Sequence, residues 1–167
     1  MNSKSLSGCI IAALILQVSV ASAEVPDSIA APGETLVLTM HAQGAQVYEC
    51  KADAAGKHAW QFREPIATLL VDDKTIGRHY AGPNWELADG SAVVGNVVGH
   101  APGATPQDIP LLKLDVASQR GAGQLAIVTT IQRLNTKGGV ADGPCDATGA
   151  VLSLPYSAVY TFLKKGR

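Results

Sequence analysis

The chain has 167 residues, of which 47% are hydrophobic and 16% charged, with a formal net charge of −1 at pH 7. The length fits a single domain, and the low charge density argues against a disordered tail protein. The near-neutral balance argues against nucleic-acid binding, which needs a clustered cationic surface.

The N-terminal residues 1–23 have the pattern of a secretory signal peptide. Lys4 supplies a positive charge, an apolar run covers residues 9–20, and small residues precede the expected cleavage point after Ala23. The apolar run is shorter than the roughly 20 residues that cross a bilayer, which favours a cleaved signal over a membrane anchor. We therefore predict a secreted or periplasmic protein with one domain over residues 24–167, its core at about 30–163, and no membrane span after cleavage.

Removal of the signal peptide leaves two cysteines, Cys50 and Cys145. In an exported chain, two cysteines most simply form one disulfide. The alternatives are a thiolate metal site and a nucleophilic cysteine, and an oxidising compartment disfavours both.

The remaining sequence predicts short strands joined by turns. Alternating or β-branched apolar residues mark these strands, Asp89-Gly90 is a strong hairpin signal, and no long window has helical periodicity. The pattern predicts an all-β fold, either a single-domain β-sandwich or a partly closed β-barrel, with one disulfide. The predicted strands cover residues 35–41, 46–50, 59–63, 67–71, 75–81, 84–87, 91–98, 111–116, 125–134 and 156–163.

Sequence motifs for catalysis or cofactors are weak. Residues 121–126 fit GxGxxA, but a β-forming run follows where a dinucleotide site needs a helix, so we predict a glycine turn. No GxSxG motif marks a nucleophilic serine, and the histidines lack the short spacing of a zinc site. We predict no cofactor and no metal, while the convergence of histidines from distant strands stays an alternative. The histidines are His41, His58, His79 and His100.

The segment 77–91 has the highest density of chemically versatile residues. It contains a histidine, two aromatic residues, both signs of charge and three glycines. Such a mixture can line a polar cleft with a stacking wall for a sugar or another small ligand. The alternative is a tight turn in which Trp85 packs in the core and His79 is hydrogen-bonded nearby.

The same segment resembles a known family. Residues 79–85 and 89–91 are similar to the core signature of the domain of unknown function 3455 family, a group of secreted bacterial and fungal proteins with no activity established for it as a whole. The resemblance implies an exported protein and fits the Cys50–Cys145 disulfide. Further matching segments are residues 47–50, 60–62, 109–112, 131–139, 145 and 156–162.

Two classes of function follow as hypotheses. The first is a non-enzymatic domain that binds a small molecule, a glycan or a cell-envelope component. Its candidate ligand-binding residues are His79, Trp85, Asp89, Gln132 and Arg133. The second is a hydrolase or metal-dependent enzyme that uses His79 with Asp89 or Glu86, which requires His79 within hydrogen-bond reach of a carboxylate or on a shared metal. A third hypothesis is a structural protein of the cell envelope, in which the motif residues only stabilise the fold.

Overall fold

The computed structural model describes residues 25–166, so the predicted signal peptide lies outside the described residues. The described chain contains eight strands and two short 3-10 helices. The strands are β1 (Thr35–Ala52), β2 (His58–Val71), β3 (Lys74–Tyr80), β4 (Asn84–Leu87), β5 (Ala92–Ala101), β6 (Leu111–Arg120), β7 (Thr130–Gly138) and β8 (Val151–Lys164). The 3-10 helices are η1 (Asp27–Ile29) and η2 (Gln124–Ile127).

All eight strands belong to one antiparallel sheet that closes on itself. Each strand pairs with the next along the chain, and β8 returns to pair with β1, which gives a closed barrel. The all-β prediction is confirmed, and of the two predicted architectures the sheet adopts the barrel, with its ring complete. No helix in the described part of the chain is long and apolar enough to span a membrane.

Strand alternation decides which side chains face the barrel interior. The alternation of residues 156–163 predicts that Tyr156 and Phe162 share one face of β8, and both are buried. The alternation of residues 35–41 predicts that Leu36 and Met40 share one face of β1, but this is wrong, since Met40 is fully buried and Leu36 is 57% exposed. The register of β1 against β8 shifts between Leu36 and Leu38, and such a bulge moves a side chain to the other face.

Several strands are longer or shorter than the sequence predicts. Residues 35–41 and 46–50 merge into β1, and residues 59–63 and 67–71 merge into β2 across Pro65. Gly44 of β1 pairs with Ala67 of β2, and a Cβ on Gly44 would collide with the carbonyl of Ile66. The absence of a side chain at Gly44 therefore allows the two backbones to approach. The predicted strand 125–134 begins only at Thr130, because η2 occupies its first residues.

The two ends of the barrel differ in how they are filled. One end, which we call the closed end, is packed with hydrophobic side chains, and Leu125 of η2 and Val128, which follows η2, are fully buried there. The opposite end, which we call the cavity end, is formed by the β1–β2, β3–β4, β5–β6 and β7–β8 connections. Core side chains toward the closed end include Met40, Leu69, Leu87, Ile131 and Phe162.

The Cys50–Cys145 disulfide is formed, as predicted. It joins the end of β1 to the long β7–β8 connection, where the Gly149 amide donates to the Cys50 carbonyl (2.9 Å) and the Cys50 amide donates to the Ala150 carbonyl (2.8 Å). The disulfide therefore fixes a connection at the cavity end that contains little regular structure.

We expect the double variant Cys50→Ala/Cys145→Ala to lose about 2 to 5 kcal/mol of unfolding free energy, because the cross-link restricts a long loop in the unfolded chain. Urea unfolding followed by circular dichroism measures the change. The wild-type chain unfolded in reductant should match the double variant. Equal midpoints for oxidised wild type and variant would contradict the prediction.

Candidate functional site: a cavity at one end of the barrel

A cavity of about 440 Å³ opens at the cavity end, a volume typical of small-molecule sites. Every one of the eight strands contributes at least one lining side chain, and no aspartate or glutamate is among them. The strand residues that line it are Gln46, Tyr48, Phe62, Arg63, Pro65, His79, Trp85, Val97, Leu112, Leu114, Arg133 and Tyr160. Residues from the connections complete the lining with Gly82, Pro83, Ile109 and Pro110.

One wall of the cavity is a cluster of aromatic rings. His79 and Trp85 are direct partners in the β3–β4 ladder, and their rings stack with centroids 4.4 Å apart and planes 11° apart. Tyr160 from β8 meets both rings edge-on, at 5.2 Å from His79 and 5.3 Å from Trp85. A Cβ on Gly95 would lie 3.0 Å from the Trp85 ring, so this glycine makes room for the indole.

The imidazole of His79 is buried, with 2% of its surface exposed, and its Nδ1 lies 2.8 Å from the Asn84 carbonyl. Burial lowers the pKa of His79 from its usual 6.5 to about 4, and the nearby positive charge of Arg133 lowers it too, while the hydrogen bond to Asn84 opposes the shift. The ring is therefore neutral at pH 7. Since a carbonyl only accepts, Nδ1 carries the proton and Nε2 keeps a lone pair that can accept a hydrogen bond.

The low pKa of His79 makes stability depend on pH. The unfolded chain binds a proton at His79 near pH 6.5, whereas the folded chain binds it only near pH 4. The contribution of neutral His79 to the unfolding free energy is therefore complete above pH 6.5 and is lost as the pH falls toward 4. We expect a loss of about 3 kcal/mol over this range, read as the difference between wild type and His79→Gln in urea unfolding.

The exposed His100 supplies a control, since His100→Gln should retain the full pH-dependent loss. Nuclear magnetic resonance titration tests the same point directly on the wild type. An imidazole of His79 that titrates near pH 6.5 would refute the prediction.

Arg133 brings a positive charge to the cavity. It is the register partner of Tyr160 across β7 and β8, and its Nε–H donates to the Pro110 carbonyl at 3.0 Å. No carboxylate of residues 25–166 forms an ion pair with Arg133. The other arginine of the lining, Arg63, is paired with Glu64 at 2.6 Å.

Three cavity-lining side chains end in buried polar atoms without a protein partner among the described residues. These are the Gln46 amide nitrogen, the Trp85 indole nitrogen and the Tyr160 hydroxyl. The Tyr156 hydroxyl lies beside Tyr160 and Gln46, and Arg133 lies beside the Tyr160 hydroxyl. These neighbours shift the pKa values of the two tyrosines, but neither hydroxyl meets a partner with full hydrogen-bond geometry. Burial raises the pKa of Tyr160, so its hydroxyl stays protonated. Buried polar atoms without a partner cost folding free energy.

Gln132, which the sequence singles out together with Arg133, lies outside the cavity. Adjacent strand residues point to opposite faces, and Gln132 is buried beneath the N-terminal segment on the outside of the barrel. Its amide donates to the Ile29 carbonyl (2.6 Å) and accepts from the Thr161 hydroxyl (2.9 Å). Lys113 donates to the Ala30 carbonyl nearby. Gln132 therefore anchors the segment that contains η1.

We expect Gln132→Ala to lower the unfolding free energy by about 1 to 3 kcal/mol, since it removes the partner of a buried carbonyl. The exposed Gln61 on β2 gives the control: Gln61→Ala should unfold at the wild-type urea midpoint. Equal midpoints for the two variants would show that Gln132 does not anchor the N-terminal segment.

Glu86 and Asp89 also lie away from the cavity. Glu86 follows Trp85 on β4 and points outward, where the Tyr80 hydroxyl (2.8 Å), Arg78 (3.1 Å) and Arg120 (2.7 Å) surround its carboxylate. These partners, first of all Tyr80 and then Arg78, lower the pKa of Glu86 to about 2. The carboxylate is thus committed to an outer-surface network.

Asp89 is part of the closed end. Its carboxylate accepts from the Ser91 hydroxyl (2.6 Å), the Ser91 amide (2.8 Å) and the Gln124 amide (2.8 Å), and these bonds lower its pKa. A Cβ on Gly123 would collide with this carboxylate, so a glycine of the GxGxxA motif serves the packing of η2 against the β4–β5 hairpin. The glycine turn is confirmed, although a 3-10 helix precedes the strand.

The arrangement required by the enzymatic hypothesis is therefore not formed in the described structure. His79 faces inward, while Glu86 faces outward and Asp89 lies at the other end of the barrel. Nor do three or more His, Cys, Asp or Glu side chains of residues 25–166 come together as metal ligands would.

Of the predicted ligand-binding residues, the structure brings together His79, Trp85 and Arg133. Sequence reasoning missed Gln46 and Tyr160 as site residues. Each lies on the face of its strand that otherwise contains apolar residues. A polar residue on such an inward face is the sequence signal that could have identified them as site residues. That signal depends on knowing which face is inward, which the closed ring decides.

The family comparison agrees with the resemblance seen in the sequence. The model of the family described as protein of unknown function (DUF3455) matches residues 31–164. The chain belongs to this family. No curated protein and no solved structure matches it.

Proposed function

We propose that this DUF3455 protein is an exported binding domain that holds a small, largely apolar molecule in the cavity of the barrel. The observation that carries the proposal is the cavity itself, because all eight strands enclose it and its wall is aromatic and aliphatic. Small-molecule sites typically combine such a wall with a few placed polar groups. Export rests on the signal-peptide pattern of residues 1–23.

The lining favours an apolar ligand over a glycan. A sugar presents many hydroxyls, each of which needs a hydrogen-bond partner when it leaves water. The cavity offers no carboxylate and only a few polar groups, against an aromatic and aliphatic wall. Binding is favoured over catalysis, because the described residues that line the cavity around His79 include no carboxylate, serine, threonine or cysteine that could act with its imidazole.

The neutral fluorophore phenylnaphthylamine tests the proposal, since its emission rises when it leaves water. We expect saturable binding to the wild type and at least about tenfold weaker binding to Val97→Trp. Val97 lines the cavity and is 49% exposed, so a larger ring there can fill the mouth without displacing the core.

Val98 supplies a matched control. It is the next residue, is 52% exposed and does not line the cavity. Val98→Trp should therefore bind the fluorophore with wild-type affinity. The proposal fails if the wild type shows no saturable binding, or if Val97→Trp and Val98→Trp bind the fluorophore equally well.

A further inference from the structure

We infer that the ligand is an aromatic or aliphatic carboxylate whose anionic group is bound by Arg133. This inference rests on the proposed binding function and names the chemical class of the ligand. It depends on two features of the cavity, which are its unbalanced charge and its aromatic wall.

The cavity carries one positive charge that no protein group balances. Arg133 is half-buried and forms no ion pair with a carboxylate in the described chain, and the lining contains neither aspartate nor glutamate. Arg63, at the same cavity, already has Glu64 as its partner. A ligand in the cavity would displace water from this half-buried guanidinium, and a charge removed from water is normally paired, so an anionic group on the ligand is the complement that Arg133 lacks.

The orientation of Arg133 suits a carboxylate. Its Nε–H is held by the Pro110 carbonyl, so the terminal amino groups, beside the Tyr160 hydroxyl, are the donors left for a ligand. Two parallel N–H donors match the two oxygens of a carboxylate, and such bidentate pairs are strong and geometrically selective.

The Arg133 guanidinium is a charged donor of the lining, and the Tyr160 hydroxyl lies beside it across the ladder. A carboxylate accepts hydrogen bonds only, so it complements a guanidinium better than a neutral amide or alcohol does. The stacked His79 and Trp85 rings then provide an apolar surface for the body of the ligand.

Cinnamate and cinnamamide form a test pair of nearly equal shape that differs in charge. Each is used at neutral pH to displace phenylnaphthylamine from the wild type, Arg133→Gln and Arg63→Gln. We expect cinnamate to bind the wild type at least about tenfold more tightly than cinnamamide, Arg133→Gln to lose this preference, and Arg63→Gln to keep it.

Fluorophore binding by the variants shows whether their cavity is intact. Arg133→Lys, which keeps the charge, should retain part of the preference and serves in place of Arg133→Gln if the latter does not fold. Equal affinities of wild type for the acid and the amide, or a preference that survives Arg133→Gln, would overturn the inference while the binding function stands. Absence of fluorophore binding to the wild type would instead overturn the proposed function.

Discussion

The pairing of β1 with β8 is the constraint on which the rest of the structure depends. These strands, at opposite ends of the described chain, run together from Thr35↔Lys164 to Glu49↔Val151 and complete the ring. Without this ladder, β1 and β8 would be exposed edges, and their inward faces would have nothing to pack against. Closure also creates the cavity, because a ring of eight strands encloses a space that side chains only partly fill.

Side chains pack the closed end of the barrel, whereas they leave a cavity at the other end. The packed end serves mainly stability, and the cavity is the candidate functional site. Toward the closed end, mainly aliphatic residues and η2 fill the barrel, although the described residues there include unpaired buried oxygens of Glu34 and Thr130. Toward the cavity end, Arg133 forms no ion pair within the described chain, and several buried polar atoms lack a hydrogen-bond partner, an arrangement that costs folding free energy. The Cys50–Cys145 disulfide lies at the cavity end, where it fixes the long β7–β8 connection.

Neighbouring residues in one motif have opposite roles because strand side chains alternate. Trp85 lines the cavity while Glu86 belongs to an outer network, and Arg133 enters the cavity while Gln132 holds the N-terminal segment. The motif residues His79–Ser91 therefore do not form one site. Part of the segment forms the cavity wall, and the remainder, with Asp89, secures the closed end.

Local sequence determined the all-β class, the position of most turns and the pairing of Cys50 with Cys145, since periodicity, turn residues and cysteine number are local or compositional properties. It also gave the family. Tertiary structure alone decided that the sheet closes, that β1 and β2 continue through Gly44 and Pro65, and that His79, Trp85, Arg133 and Tyr160 meet. Bulges shift the face of every residue beyond them, and closure depends on strands far apart in the chain, so neither can be read from a short window.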